Sequence, residues 1–138
     1  MSYLLDANVL ICAFQTTQPH HPAFYRWLRQ ALTDGETLYS TSLNEVALAR
    51  ISTRVYNTPP EDVFEFLADL HAQPSYRLLE LGKAGLSRWR QLVLDLNLRG
   101  NDLNDAYLAA LALEHRLTLV TADQGFARFA GVRVFTPT

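Results

Sequence analysis

The amino-acid sequence predicts an α/β fold, a three-layer α/β/α sandwich whose central sheet is mostly parallel and has about five strands. Short apolar runs with strand character alternate with segments of helical periodicity along the whole chain. The 138 residues, 49% of them hydrophobic, suit one core, and no repeat or low-complexity linker divides them, so residues 1–138 read as one domain.

The first apolar run, Tyr3 to Leu5, stops at Asp6-Ala7-Asn8, and Val9-Leu10-Ile11 resumes at a spacing suited to a short buried helix. Pro22 fits a first helical turn, after which Phe24, Trp27, Leu28 and Ala31 recur at helical spacing until Asp34-Gly35. That aromatic stripe is expected to be core in preference to a partner groove. Thr37 to Ser40 reads as a second strand, and Ser42 with Glu45 opens a helix through Val46, Leu48 and Ile51. Asn57-Thr58-Pro59-Pro60 breaks the chain before a helix carrying Val63, Phe64, Leu67 and Leu70. A third strand follows from Tyr76 to Leu81, then a helix from Lys83 to Leu96. The turn Arg99-Gly100-Asn101-Asp102 leads into a helix through Leu103, Ala106, Tyr107, Ala110 and Leu113. Thr118 to Thr121 is the clearest strand; Ala122 to Gly125 turns the chain, Phe126 to Phe129 makes one helical turn, and Val132 to Phe135 closes as a short strand.

Composition narrows the function classes. A net charge of −2 excludes a polycation that coats nucleic acid indiscriminately. Eleven of the twelve basic residues are nevertheless arginine, Lys83 being the exception, and the guanidinium grips phosphate oxygens in pairs. Genomic base composition explains such a bias equally well. Cys12 stands alone, so neither a disulfide nor a cysteine-based metal site is expected. No run of about eighteen apolar residues occurs, and Asp6 interrupts the only stretch placed to be a signal peptide, so a cytoplasmic protein without membrane association is expected.

In a parallel sheet covered by helices, ligands bind outside the carboxyl ends of the strands. Four acids fall in that zone: Asp6 after the first strand, Glu45 in the first turn after the second, Asp105 early in its helix, and Asp123 after the Thr118 strand. Each has a plain structural reading. Ser42 and Glu45 have capping-box spacing, Asp102 and Asp105 suit a helix start, Asp123 suits a turn, and Asp6 could cap the short helix behind it. Gathered at one rim, however, four carboxylates raise one another's pKa values, and a divalent cation relieves the repulsion. Oxygen ligands without nearby histidine or cysteine favour magnesium, with manganese as a substitute, over zinc. The chemistry expected of such a site is phosphodiester hydrolysis by an activated water.

The segment Arg99-Gly-Asn-Asp-Leu-Asn-Asp-Ala-Tyr-Leu-Ala-Ala-Leu-Ala-Leu-Glu-His115, followed by Leu119-Val-Thr-Ala-Asp123, resembles the carboxy-terminal signature of PIN-domain ribonucleases, above all the VapC toxins of toxin–antitoxin pairs. Leu5-Asp6-Ala-Asn8-Val-Leu10 resembles that family's opening motif, and Ser42-Leu-Asn-Glu45 its second acid, so the likeness spans the whole chain. The resemblance implies a PIN-like fold, a magnesium-dependent endoribonuclease acting on a structured RNA such as a tRNA loop, a homodimer, and a VapB-like antitoxin. It also implies that Asp6, Glu45, Asp105 and Asp123 form the metal-binding quartet, with Asp6 and Asp105 foremost among the direct ligands. Asn8 and Thr121 would orient the first and last acids, and Asp102 would be an additional acid beside them. One departure is Gly125, where similar sequences often carry a further aspartate. Arg50, Arg54, Arg88, Arg90 and Arg99 are candidates for phosphate contacts. His20, His21 and His115 receive no catalytic role.

Other acid-bearing sheets fit less well. A haloacid-dehalogenase phosphatase needs an aspartate two residues after its first, where this chain has Asn8, and a receiver domain needs a lysine ending its last strand, whereas Lys83 precedes a helix. A PIN domain working in RNA processing, or as a non-catalytic metal- or RNA-binding module, uses the same residues and is the main alternative.

Overall fold

A computed structural model describes residues 1–138. Five strands, β1 (Ser2–Leu5), β2 (Thr37–Ser40), β3 (Tyr76–Leu78), β4 (Thr118–Val120) and β5 (Arg133–Phe135), form one sheet in the order β3-β2-β1-β4-β5. Every pairing is parallel, with Leu4 opposite Tyr39 on one side and Leu119 on the other. The expected sandwich is therefore present, and its sheet is parallel throughout. Six helices cover it: α1 (Ala7–Phe14), α2 (His21–Thr33), α3 (Ser42–Arg54), α4 (Pro60–His71), α5 (Lys83–Leu96) and α6 (Asp102–His115).

Alternation along each strand divides the core in two. Leu5, Leu38 and Val120 face one layer with Val9, Leu10, Phe24, Leu48, Val63 and Leu67 from α1 to α4. Leu4 and Leu119 face the other with Ala106, Ala109, Ala110 and Leu111 of α6 and with Phe126 and Phe129. The α2 stripe is core, as its spacing suggests: Phe24 is fully buried, and Trp27 meets Tyr3 edge-on at 5.2 Å between ring centres. Val46 and Phe64 are exceptions on their helices. Both point to solvent, because Leu48 and Ser52 turn inward from α3, and Val63 and Leu67 from α4.

Three expected strands are shorter in the structure: the fourth ends at Val120, the fifth begins at Arg133, and the third loses most. The third is paired only to Leu78, after which the Leu79 N–H still reaches the Ser40 carbonyl at 2.8 Å before the chain leaves the sheet. The Leu81 N–H then donates to the Tyr107 hydroxyl at 2.9 Å, which fastens this loop to α6. The Ser42–Glu45 capping box does not form either. Thr41 caps α3 by accepting from the Asn44 N–H at 3.2 Å, and the Glu80 carboxylate accepts from the Ser42 hydroxyl at 2.7 Å.

Because the strands are parallel, β1 and β4 end at the same rim. α6 precedes β4 and returns against it, so its first turn lies at that rim too. The Asp6 N–H donates to the Val120 carbonyl at 3.0 Å, extending the ladder one residue beyond β1.

At its other end α6 stops on Arg116, whose φ of 54° lies in the left-handed region and whose N–H caps the Ala112 carbonyl. A side chain there strains the backbone by about 1 kcal/mol that glycine avoids. Arg116→Gly is expected to stabilise the fold by about 0.5–1 kcal/mol in urea denaturation.

Candidate metal and RNA-cleavage site

Asp6 ends the central strand and caps α1, its Oδ1 accepting from the Ala7 N–H at 2.6 Å. The carboxyl lies in the crevice between β1, β4 and α6 and is only 8% exposed. Its Oδ2 accepts from the buried Thr121 hydroxyl at 2.7 Å. The Thr121 oxygen in turn accepts from the Asp123 N–H at 3.0 Å and from Asn8 Nδ2 at 3.3 Å, while Asn8 Oδ1 accepts from the Ala122 N–H at 3.3 Å. Asn8 and Thr121 thus tie the first acid to the loop that carries the last. Asp123 caps the following 3-10 turn, Gln124–Arg128, with its Oδ1 accepting from the Gly125 N–H at 2.8 Å.

Asp105 enters from the first turn of α6, half-buried. Asp102, one turn earlier, is more exposed, and Arg128 bridges the two: its Nη2 lies 3.1 Å from Asp105 Oδ2 and 3.3 Å from Asp102 Oδ1. Arg128 had no place among the sequence candidates. A lone arginine three residues past a turn carries no pattern, and only its position after Asp123 on a one-turn helix could have suggested it.

The structure brings together Asp6, Asp105 and Asp123, and leaves Glu45 out. The Glu45 carboxylate accepts from the Tyr76 hydroxyl at 2.8 Å and pairs with His71 Nε2 at 2.7 Å, on the α4 and β3 side of its helix. The face of α3 that borders Asp6 carries Leu43, Ala47 and Arg50. Glu45, two residues from both Leu43 and Ala47, turns to the other side of the helix, where Tyr76 and His71 hold it. Of the four acids expected at the rim, Asp6, Asp105 and Asp123 converge here, with Asp102 beside them, and Glu45 is turned to Tyr76 and His71. Tyr76, buried beside this carboxylate, has its hydroxyl proton held well above the usual phenol range by burial and by the Glu45 charge.

Burial and the charges of neighbouring acids mark Asp6 and Asp105. Asp6 is raised to about 6, chiefly by burial and further by the charges of Asp105 and Asp123, against the lowering effect of the Thr121 and Ala7 hydrogen bonds. Asp105 is raised by burial and by Asp123, with Arg128 pulling it down. Such a set of crowded carboxylates suits a hard divalent ion in the chemistry of its donors, all of them oxygen. Its spacing is not yet that of a bound ion, since no three histidine, cysteine or acidic side chains stand at ligating distance from one centre.

A mixed cleft of about 110 Å³ runs from Asp6 between α3 and α6, its polar lining supplied by Asn44, Arg50, Asn101 and Asn104. The Asn44 amide is spent inside, donating to the Leu5 carbonyl at 2.7 Å, whereas Arg50, Asn101 and Asn104 are exposed. A larger cavity, about 590 Å³ between α2 and α4, contains none of the converging aspartates. Its walls, with Leu28, Leu32, Phe66 and Leu70, are mainly apolar, so the chemistry belongs to the smaller cleft.

The raised Asp6 has a consequence for stability. The folded state holds this proton more tightly than the unfolded chain, where the ordinary value is 3.8, so the group favours folding most below about pH 4 and loses that contribution as pH rises through about 6. Asp6→Asn is expected to stabilise the metal-free protein by about 1–3 kcal/mol at pH 7.5 and to flatten the pH 4–6 stability profile, read by thermal melts in EDTA.

With this geometry in hand, comparison with known proteins is informative. Residues 3–132 match the family model of the PIN domain. Ribonuclease VapC37 of Mycobacterium tuberculosis is 35% identical over 134 residues, covering 94% of this chain and 93% of that protein. Ribonuclease VapC25 of the same organism is 31% identical over 98% of both chains. Among solved structures, the VapBC2 complex of Rickettsia felis bound to a promoter DNA fragment superposes with a TM-score of 0.71 at 20% identity, covering 100% of both chains. M. tuberculosis VapC20, a sarcin-ricin loop cleaving toxin, gives 0.72 at 12% identity, covering 95% of this chain and 98% of that one. No helix is long and apolar enough to cross a membrane. A central strand ending in a buried aspartate, a helix start carrying Asp105 and a neighbouring strand leading to Asp123 are here joined to end-to-end sequence likeness, and the chain belongs to the VapC branch of the PIN-domain family.

Proposed function

We propose that the chain is a divalent-metal-dependent endoribonuclease, the toxin of a toxin–antitoxin pair, whose working acids are Asp6, Asp105 and Asp123. The observation that carries this reading is their convergence at the carboxyl rim of the sheet, with Asp6 buried and raised to about 6 by its surroundings. Relatives named ribonuclease, matched over 94–98% of this chain, support the chemistry. The VapBC complexes among the structural neighbours support a VapB-like antitoxin as partner, and a homodimer belongs to the same reading.

Magnesium, or manganese in its place, would be held by the three aspartates and would supply a more acidic bound water and a counter-charge for the phosphorane-like transition state. The protein's own contribution is positional. The Thr121 hydroxyl holds Asp6 Oδ2 while its oxygen anchors the Asp123 N–H, so both carboxylates keep one orientation relative to β4. Asp105 lies between them on the rigid first turn of α6, its charge favoured by the helix dipole. RNA would lie along the cleft beside Asp6, with Arg50 against a backbone phosphate and Asn101 and Asn104 able to bond a ribose hydroxyl or a base edge. A structured RNA with an unpaired loop, such as tRNA, suits a narrow mixed cleft better than a continuous duplex.

Purified protein is expected to cleave RNA with magnesium or manganese and to stop in excess EDTA. Asp105→Asn is expected to reduce the rate by about a thousandfold or more while remaining folded. Glu45→Gln, altering an acid on the far side of α3, should cost less than tenfold; an equal loss in the two variants would refute the three-acid site. Arg50→Ala is expected to raise KM with little change in kcat and to lower the slope of log affinity against log salt by about 0.7, measured on single-stranded RNA.

A further inference from the structure

Asp105 is held differently from its neighbours. Backbone and hydroxyl donors fix Asp6 and Asp123, through Ala7, Thr121 and Gly125, but the Asp105 carboxylate has Arg128 as its one hydrogen-bond partner. The Arg128 guanidinium rests over the ring of buried Phe129, 4.9 Å from its centre, and turns one nitrogen to both Asp105 and Asp102. Its other terminal nitrogen reaches the space beside Gly125, where an added Cβ would meet Arg128 Nη1 and Asp123 Oδ1, each at 3.0 Å. One cation is therefore lodged on the side of the cluster where Asp102, Asp105 and Asp123 face it. The same cluster lacks three acids at ligating distance.

We propose that Arg128 is a resident counter-cation of the acidic cluster, which draws Asp105 aside in the metal-free protein and which a divalent ion must displace in order to bind. The inference rests on the metal-site reading given above. Charge and geometry both require the displacement. A guanidinium and a dication placed against the same carboxylate repel, and a carboxylate oxygen committed to a short charge-assisted hydrogen bond is a poorer metal ligand. Release breaks the ion pairs to Asp102 and Asp105 and the stacking on Phe129, and the 32% exposure of the Arg128 side chain leaves it a path into solvent. Arg128 is thus a positioning residue: it sets where the Asp105 carboxylate points, and so how readily the metal enters. An arginine that merely fastened the 3-10 turn to α6 would stabilise the fold and leave metal affinity unchanged or stronger than in its absence.

The test is a calorimetric titration of manganese into the full chain at pH 7.5, comparing wild type, Arg128→Gln and Arg128→Lys, with thermal melts to establish folding. Arg128→Gln is expected to bind manganese about three- to tenfold more tightly than wild type at low salt, and Arg128→Lys, which keeps the charge without the planar fork, to fall between them. The gap should narrow at about 0.5 M salt, where partly exposed pairs are screened. Equal or weaker binding by Arg128→Gln overturns the inference, as does the absence of measurable binding in every protein; should the glutamine variant fail to fold, the lysine variant decides alone. RNA cleavage by the same samples separates the two readings. Tighter manganese binding without any cleavage by wild type would overturn the nuclease alone, and metal-dependent cleavage with unchanged titrations would overturn only the role of Arg128.

Discussion

The site depends on one carboxylate kept almost dry at the end of the central strand. Asp6 occupies a place where a charge is costly, and three features make it tolerable: the Ala7 N–H, the Thr121 hydroxyl and the opening toward solvent on the side of Asp105 and Asp123. The hydroxyl is the most consequential. It donates to Asp6 while its oxygen accepts from the Asp123 N–H and the Asn8 amide, so a single buried atom fixes the relation of two strands, one helix cap and one loop. Exposure then rises outward in steps, from buried Asp6 through half-buried Asp105 to exposed Asp123, so the cluster rests on a rigid floor and opens to solvent on one side.

Much of the fold was legible in the residues because burial imposes short, local patterns. Leu4 and Leu5 face opposite layers, and the α2 stripe of Phe24 and Leu28 points inward as helical spacing requires. Element ends were less legible. The strand expected to run to Leu81 pairs only to Leu78, because the partner β2 ends at Ser40 and leaves nothing further to bond. Asp6, Asp105 and Asp123 come together because each stands immediately after a strand or at a helix start, positions that a parallel sheet gathers at one rim.

The orientation of Glu45 follows from the helix itself. Position along the chain places it near the rim, but angle around α3 decides its partners, and Tyr76 and His71 take it up on the opposite side. The residue that α3 does present to the cleft is Arg50, with Leu43 and Ala47 beside it. Arg128 lay beyond sequence reading altogether, because its significance comes from reach, across a turn and onto a helix that begins more than twenty residues earlier.

The Asp6–Thr121 hydrogen bond joins residues 115 positions apart. During synthesis, the amino-terminal aspartate emerges from the ribosome long before β4 exists to receive it, and the long loop closed by that pairing makes it a late event in folding. A chain stalled or cut short before Thr121 would contain Asp6, α1 and most of the helical layer yet no assembled acid cluster. The topology therefore completes the acid cluster only when nearly the whole chain has been made.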